Sequence, residues 1–259
     1  GKWQGTEVAI KRLWGRGNSA FDDGKEDNTF SEFEHEAALL ANLRHPNVVL
    51  FMGACVAPPD LCLVLEFCPR GSLDRLLHKS HTTLDAKRCL RMMFQAARGM
   101  NFLHTHRPPI IHRDLKPGNL LVDKDFNVKV CDFGLSRILQ SSMVSARSRN
   151  NVGTPQYCAP EVMCEKPYSA AADVYSFGVV LWEVLSRKRP FGHMETPMQM
   201  LAAMLNKDAM LPPLDANGGW SRPLQSLIDR CCSREPEERP NFEEIMHTLD
   251  KEIVNLGKT

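Results

Sequence analysis

The run His112-Arg113-Asp114-Leu115-Lys116-Pro117-Gly118-Asn119 places a carboxylate, an ammonium and a carboxamide on one short polar loop. A second carboxylate follows in Asp132-Phe133-Gly134, and a hairpin between would return it to the first. This set suits phosphoryl transfer, which asks a protein to hold phosphates, neutralise developing negative charge and orient a hydroxyl. Asp114 can accept a hydroxyl proton, and Lys116 can add charge beside the moving group. The Asn119 carbonyl and Asp132 offer the hard oxygen ligands that Mg²⁺ takes.

The surrounding elements explain how such a loop is held. Residues 120–122 and 128–130 read as two short strands facing each other across Asp123-Lys124-Asp125-Phe126-Asn127, a hairpin signal. Near the start, residues 6–13 read as a strand with Val8 and Ile10 on one face and Ala9 and Lys11 on the other. A polar stretch, Gly15 to Ser19 and then Asp22 to Asn28, reads as a mobile loop. Phe30, Phe33, Ala37 and Leu40 then mark a helix ending near Arg44-His45-Pro46. Glu36 falls on its inward side and needs a cationic partner there, whereas Glu34 points off the apolar stripe. Strands are expected at 48–54 and 61–67. After Pro69-Arg70-Gly71 the pattern turns helical, with a stripe at Ala86, Leu90, Met93, Ala97 and Met100. From Ala171 onward it is helix after helix, broken at Pro190, Pro212-Pro213 and Pro236. A strand-rich start and a helix-rich remainder predict two lobes joined near Cys68-Pro69, with a ligand cleft between them.

Composition narrows the class. The chain has 259 residues, 43% hydrophobic and 24% charged, which supports a sizeable core. Its net charge of +1 argues against a nucleic-acid or membrane-surface partner held by bulk electrostatics. Nine cysteines without a C-x-x-C pair read as reduced, mostly buried thiols of a cytoplasmic protein. The start shows no signal-peptide pattern, and the apolar stretch 174–185 is too short to span a bilayer.

In this order, the loop and the Asp-Phe-Gly triplet resemble the catalytic loop and metal-binding triplet of protein kinases. Val8-Ala9-Ile10-Lys11 resembles the kinase strand whose lysine reaches the α/β-phosphates. Gly153-Thr154-Pro155, Ala159-Pro160-Glu161, Asp173-Val174-Tyr175-Ser176-Phe177-Gly178 and Arg239 continue the match to about residue 253. The resemblance implies a bilobal α+β kinase fold, with a partial N-lobe over residues 1–67 and a C-lobe over 68–259. It implies ATP and Mg²⁺, with Asp114 as catalytic base, Lys116 as helper and Lys11–Glu36 as the phosphate-positioning pair. Asn119 and Asp132 would hold the metal. Ala9, Lys11, Leu65, Glu66, Cys68, Ser72 and Leu121 would line the nucleotide site, Cys68 through its backbone and Leu65 guarding the back. His112 would be a core residue stacking under Phe133 in an apolar column with Leu40 and Phe51, not a base. Glu161 would pair with Arg239. Arg113 would meet a phosphate on the activation segment, where Ser141, Ser142, Ser145 and Ser148 are candidates beside Arg147 and Arg149. Cys131 precedes Asp132 and reads as buried.

Residues 45–54, Arg70-Gly71-Ser72-Leu73, Leu76-Leu77-His78-Lys79 and residues 130–137 resemble the Raf-like branch of the tyrosine-kinase-like group. Lys116-Pro117-Gly118-Asn119 points to serine/threonine specificity, since tyrosine kinases usually carry Ala-Ala-Arg there. The resemblance implies a MAP kinase kinase kinase acting on a protein substrate such as a MAP kinase kinase, and it also admits a dimer. A pseudokinase scaffold and a dual-specificity enzyme are the alternatives. The family's Gly-rich loop is absent ahead of Gly1-Lys2-Trp3, so the chain reads as a fragment of a longer protein. The polar insert between Lys11 and Glu36 is longer than usual, either a tolerated surface loop or a docking insertion.

Overall fold

Strands β1 (Lys2–Trp3), β2 (Thr6–Arg12), β3 (Phe51–Cys55) and β4 (Cys62–Glu66) form an antiparallel sheet in the order β1-β2-β4-β3. They belong to a computed structural model that describes residues 1–12, 26–56, 60–133, 137–138, 154–192, 194, 196, 199, 202–203, 211–215 and 219–257. Along β4 the pleat alternates: Leu63 and Leu65 are buried while Cys62, Val64 and Glu66 are half-buried. The register sets Ala9 opposite Leu65 and Lys11 opposite Leu63, so both sequence-predicted residues of β2 share the inner face. Ile10, on the other face, is exposed.

Helix α1 (Glu26–Ala41) buries Phe33, Leu39 and Leu40. Its first turn, Glu26-Asp27-Asn28, was expected in the polar loop and is helical instead. Acidic residues favour the positive end of a helix, which an apolar-periodicity reading does not register. A second correction concerns residues 48–50, expected in β3. The Val49 N–H donates to Val130 O at 2.9 Å and the Val130 N–H to Asn47 O at 2.9 Å, so Val48 and Val49 pair with Val130, while the Leu50 carbonyl accepts the Glu66 N–H of β4 at 3.0 Å. Its Val-rich composition predicts extended backbone, and its pairing is divided between Val130 and β4.

The helical part begins with β5 (Gly71–Ser72), a two-residue strand without a sequence signal, and α2 (Leu73–His78). Ser72 caps α2, its hydroxyl accepting the Arg75 N–H at 3.3 Å. Helix α3 (Ala86–Thr105) is capped by Asp85 and buries Leu90, Met93, Ala97 and Met100, the stripe expected from the sequence. At Gly99 a Cβ would run into the Asn47 carbonyl, so only glycine admits this approach. Strand β6 (Ile110–Ile111) leads to the polar loop; β7 (Leu120–Val122) and β8 (Val128–Val130) form the expected hairpin, joined to β5 in the order β5-β7-β8. Strand β9 (Arg137–Ile138) pairs with β6.

After α4 (Pro160–Met163), α5 (Ala171–Ser186) runs through the centre, every residue from Ala172 to Leu185 buried. Helices α6 (Arg222–Cys231) and α7 (Phe242–Asn255) pack around it and α3. Burying α5 on all sides forces its polar residues, Asp173, Ser176 and Glu183, to find internal partners. Among the described residues no helix is long and apolar enough to cross a membrane.

Candidate active site

Asp173, at the start of α5, organises the loop from below. Its Oδ1 accepts the Arg113 N–H and its Oδ2 the His112 N–H, both at 2.9 Å, and His104 Nε2 donates to Oδ2 at 2.8 Å. These bonds hold Arg113 at φ 72°, a left-handed backbone that a bulky residue adopts only under constraint. Burial alone would raise the Asp173 pKa, but the hydrogen bond and charge of His104, with His112, bring it below the ordinary carboxylate value. His112 is fully buried, with its ring 5.4 Å from that of Phe133. Its Nε2 faces the Cys131 carbonyl at 2.9 Å and must donate, while Nδ1 accepts the Asp114 N–H at 3.3 Å. The ring is therefore spent on linking the two halves of the site.

Asp114 stands above this platform. Its Oδ2 accepts Lys116 Nζ at 2.7 Å and Asn119 Nδ2 at 2.9 Å. Its Oδ1 accepts the Thr154 N–H at 3.2 Å. Lys116 Nζ also donates to Thr154 Oγ1 at 2.8 Å, so one ammonium joins the loop to the segment before α4. Asn119 Nδ2 reaches the Asp114 carbonyl too, at 2.7 Å, which commits the amide nitrogen and turns the amide oxygen elsewhere.

The third group comes from the sheet. Lys11 Nζ donates to both oxygens of Glu36, at 2.7 and 3.0 Å, and to Asp132 Oδ1 at 2.9 Å. Glu36 is buried and Glu34 exposed, as the helical phase required. Desolvation pulls the Lys11 pKa down, but Glu36 first and Asp132 second outweigh it and raise it above the usual lysine value. Asp132 sits at φ 65°, again left-handed. One ammonium thus spans the sheet, α1 and the end of the β7–β8 hairpin.

The residues expected around the nucleotide differ in how free they are. Ala9 and Leu65 face each other on the inner side of the sheet. The Glu66 carboxylate accepts the Leu50 N–H at 2.6 Å and lies 3.0 Å from Lys129 Nζ, so its side chain ties down the strand end. Cys68 is buried, which pushes its thiol up to about 11, and its carbonyl accepts the Gly71 N–H at 3.0 Å. The Ser72 hydroxyl is engaged as the α2 cap, and Leu121 lies opposite Ser72 in the β5–β7 register. Burial raises the Cys131 thiol pKa strongly.

Two ion-pair clusters brace the rear. Arg239 meets Glu161 through both nitrogens, at 2.7 and 2.8 Å, with both groups buried. Glu183, fully buried, accepts the Tyr157 hydroxyl at 2.7 Å, lies 2.6 Å from His78 Nε2 and 3.6 Å from Arg189. This second cluster was missed from the sequence; a glutamate inside an apolar helix was the signal available. Arg113 lies over the Tyr168 ring at 5.5 Å. Gly134, Gly153, Ser141, Ser142, Ser145, Ser148, Arg147 and Arg149 lie outside the described residues.

A protein-family model described as "Protein tyrosine and serine/threonine kinase" matches residues 1–249. The chain is 45% identical over 251 residues to "Probable serine/threonine-protein kinase SIS8" of Arabidopsis thaliana, covering 97% of this chain and 23% of that protein. It is 45% identical over 250 residues to "Serine/threonine-protein kinase CTR1" of the same plant, covering 96% and 29%. A third relative, "Dual specificity protein kinase shkC" of Dictyostelium discoideum, is 42% identical over 229 residues, covering 88% and 45%. The chain therefore spans less than half the length of these relatives.

Proposed function

The chain belongs to the protein tyrosine and serine/threonine kinase family, and on that premise we propose that it transfers the ATP γ-phosphoryl to serine or threonine hydroxyls of proteins. The observation that carries the reading is the Lys116 ammonium, held between Asp114 at 2.7 Å and Thr154 at 2.8 Å. Asp114 accepts the proton of the substrate hydroxyl. Lys116 supports negative charge developing on the transferred group, and Thr154 fixes both in place. Lys11, steadied by Glu36, positions the α/β-phosphates of ATP. Ala9, Leu65, Leu121 and the backbone of Glu66 and Cys68 enclose the adenine, while Ser72 shapes the rim by capping α2.

Protein kinases use ATP with Mg²⁺, and the donor set here fits that ion. Asn119 spends its amide nitrogen on Asp114 and so offers its oxygen, and the Asp132 side chain is 46% exposed. Both are hard oxygen donors. Bound there, Mg²⁺ would neutralise phosphate charge, and Lys11 would then share Asp132 with it.

The reading extends to a Raf-like MAP kinase kinase kinase of the cytoplasm, acting on a MAP kinase kinase, with residues 1–67 as partial N-lobe and 68–259 as C-lobe. Similarity to a kinase named as serine/threonine-specific over 96% of the chain supports the serine/threonine part of this reading. The relative named as dual-specificity favours tyrosine acceptors as a second reading.

The test uses the full-length protein with Mg·ATP, a generic basic protein and a catalytically dead MAP kinase kinase, beside its Asp114→Ala counterpart. Phosphoserine or phosphothreonine that disappears in the variant is expected, with the MAP kinase kinase labelled in preference. Absence of transfer from a folded, ATP-binding protein would move the reading to a scaffold.

A further inference from the structure

Cys55 ends β3, Cys62 begins β4, and the antiparallel register sets the two directly opposite each other. Opposed residues on antiparallel strands project to the same face, with Cα atoms about 4.5 or 5.5 Å apart. Native disulfides span roughly 4.4–6.8 Å between Cα atoms, so this opposed register falls within the spacing a disulfide takes. Both are thiols in the structure and both are half-buried, whereas Cys68, Cys89, Cys131, Cys158 and Cys231 are buried. Their face is the outer one, because Leu63, the next residue of β4, points inward and is buried. On its other side Cys62 is opposed by the exposed Arg12, and both cysteines keep part of their surface open to solvent.

We propose that Cys55 and Cys62 form a redox-modification site at which hydrogen peroxide converts the two thiols into one cross-strand disulfide. The thiolate of one attacks a peroxide oxygen; the S–O bond forms, the O–O bond breaks, and the departing hydroxide takes up the thiol proton as water. The second sulfur then attacks the sulfenic sulfur. The S–S bond forms, the S–O bond breaks, and the second hydroxyl leaves as water with the second thiol proton. Two thiols give up two electrons, and one peroxide becomes two waters. A small thiol reverses the step by exchange. The crosslink pins β3 to β4 beyond the irregularity between Phe51 and Gly53, on the strand that carries Leu65 and Glu66.

Asp60 lies between the two cysteines and gives a direct readout. The full-length protein is exposed to hydrogen peroxide, alkylated, and cleaved before Asp60 by an Asp-specific protease under non-reducing conditions. The expected result is that the Cys55 and Cys62 peptides stay joined, lose both alkylation sites and separate on reduction. Cys55→Ser and Cys62→Ser each abolish the joined species, and Cys164→Ser retains it. Full alkylation of both cysteines after peroxide treatment overturns the proposal. So does a disulfide from Cys62 to Cys68, or a joined species that survives Cys55→Ser.

Discussion

Lys11 Nζ and Glu36 Oε1 are 2.7 Å apart across 25 positions of sequence, and the two partners are unequally buried. The lysine side chain is 43% exposed and the glutamate 9%. Losing the lysine strands a buried carboxylate; losing the carboxylate leaves an ammonium still facing water and Asp132. Lys11→Ala is therefore expected to destabilise more than Glu36→Gln. The cost of breaking a buried pair is about 3–5 kcal/mol, reduced here to about 1–3 by the lysine's exposure. Thermal denaturation of both variants checks the order. The raised Lys11 pKa also fixes a sign: the pair's contribution is fully present below the ordinary value of 10.5 and is lost as pH rises through the raised value. Activity should show no loss from Lys11 deprotonation below that ordinary value.

Thr154→Val removes an acceptor from Lys116 while keeping the side-chain volume. Hydrogen bonds to charged groups contribute roughly 1.5–3 kcal/mol, so kcat is expected to fall about tenfold or more. KM for ATP should hardly move, since Thr154 contacts Asp114 and Lys116 and none of the residues proposed to enclose ATP. Steady-state kinetics separate the two constants, and a change confined to KM would contradict the placement.

Arg239 fills both oxygens of Glu161 and also donates to the carbonyls of Ala171 and Ser233. Arg239→Ala leaves a buried carboxylate alone, at about 3–5 kcal/mol, or a melting temperature lower by roughly 6–20 °C. Arg239→Lys should recover little, because a single ammonium cannot reproduce the forked geometry. The double variant Arg239→Leu with Glu161→Leu should be more stable than Arg239→Ala. Calorimetry of the three proteins decides it.

Asp173 has a depressed pKa, so its stabilisation is present above the ordinary value of 3.8 and disappears as pH falls through the depressed one. The gap in melting temperature between the wild type and Asp173→Asn should be widest near neutrality and close below that value. The variant should also lose kcat at neutral pH, because the N–H groups of Arg113, at φ 72°, and of His112 no longer meet the two oxygens of one carboxylate.

Much of this architecture follows a local rule. The β7–β8 hairpin, the α3 stripe and the inward Glu36 were legible because periods of 2 and 3.6 decide which side chains share a face. The failures share a cause. The first turn of α1 is polar, β5 has two residues, and Val48 and Val49 pair with Val130 of β8, a partner that no local pattern names.

The sequence alone determined the family, the order of the chemical groups and the faces they occupy, because motif spacing and periodicity are properties of short segments. The resemblance already paired Lys11 with Glu36 and Glu161 with Arg239; the tertiary structure decided the meetings it did not name. Glu183 finds Tyr157 and His78, and Lys11 also reaches Asp132. The reason is desolvation: a charge carried inside by apolar packing must take its partner from whatever elements that packing brings alongside.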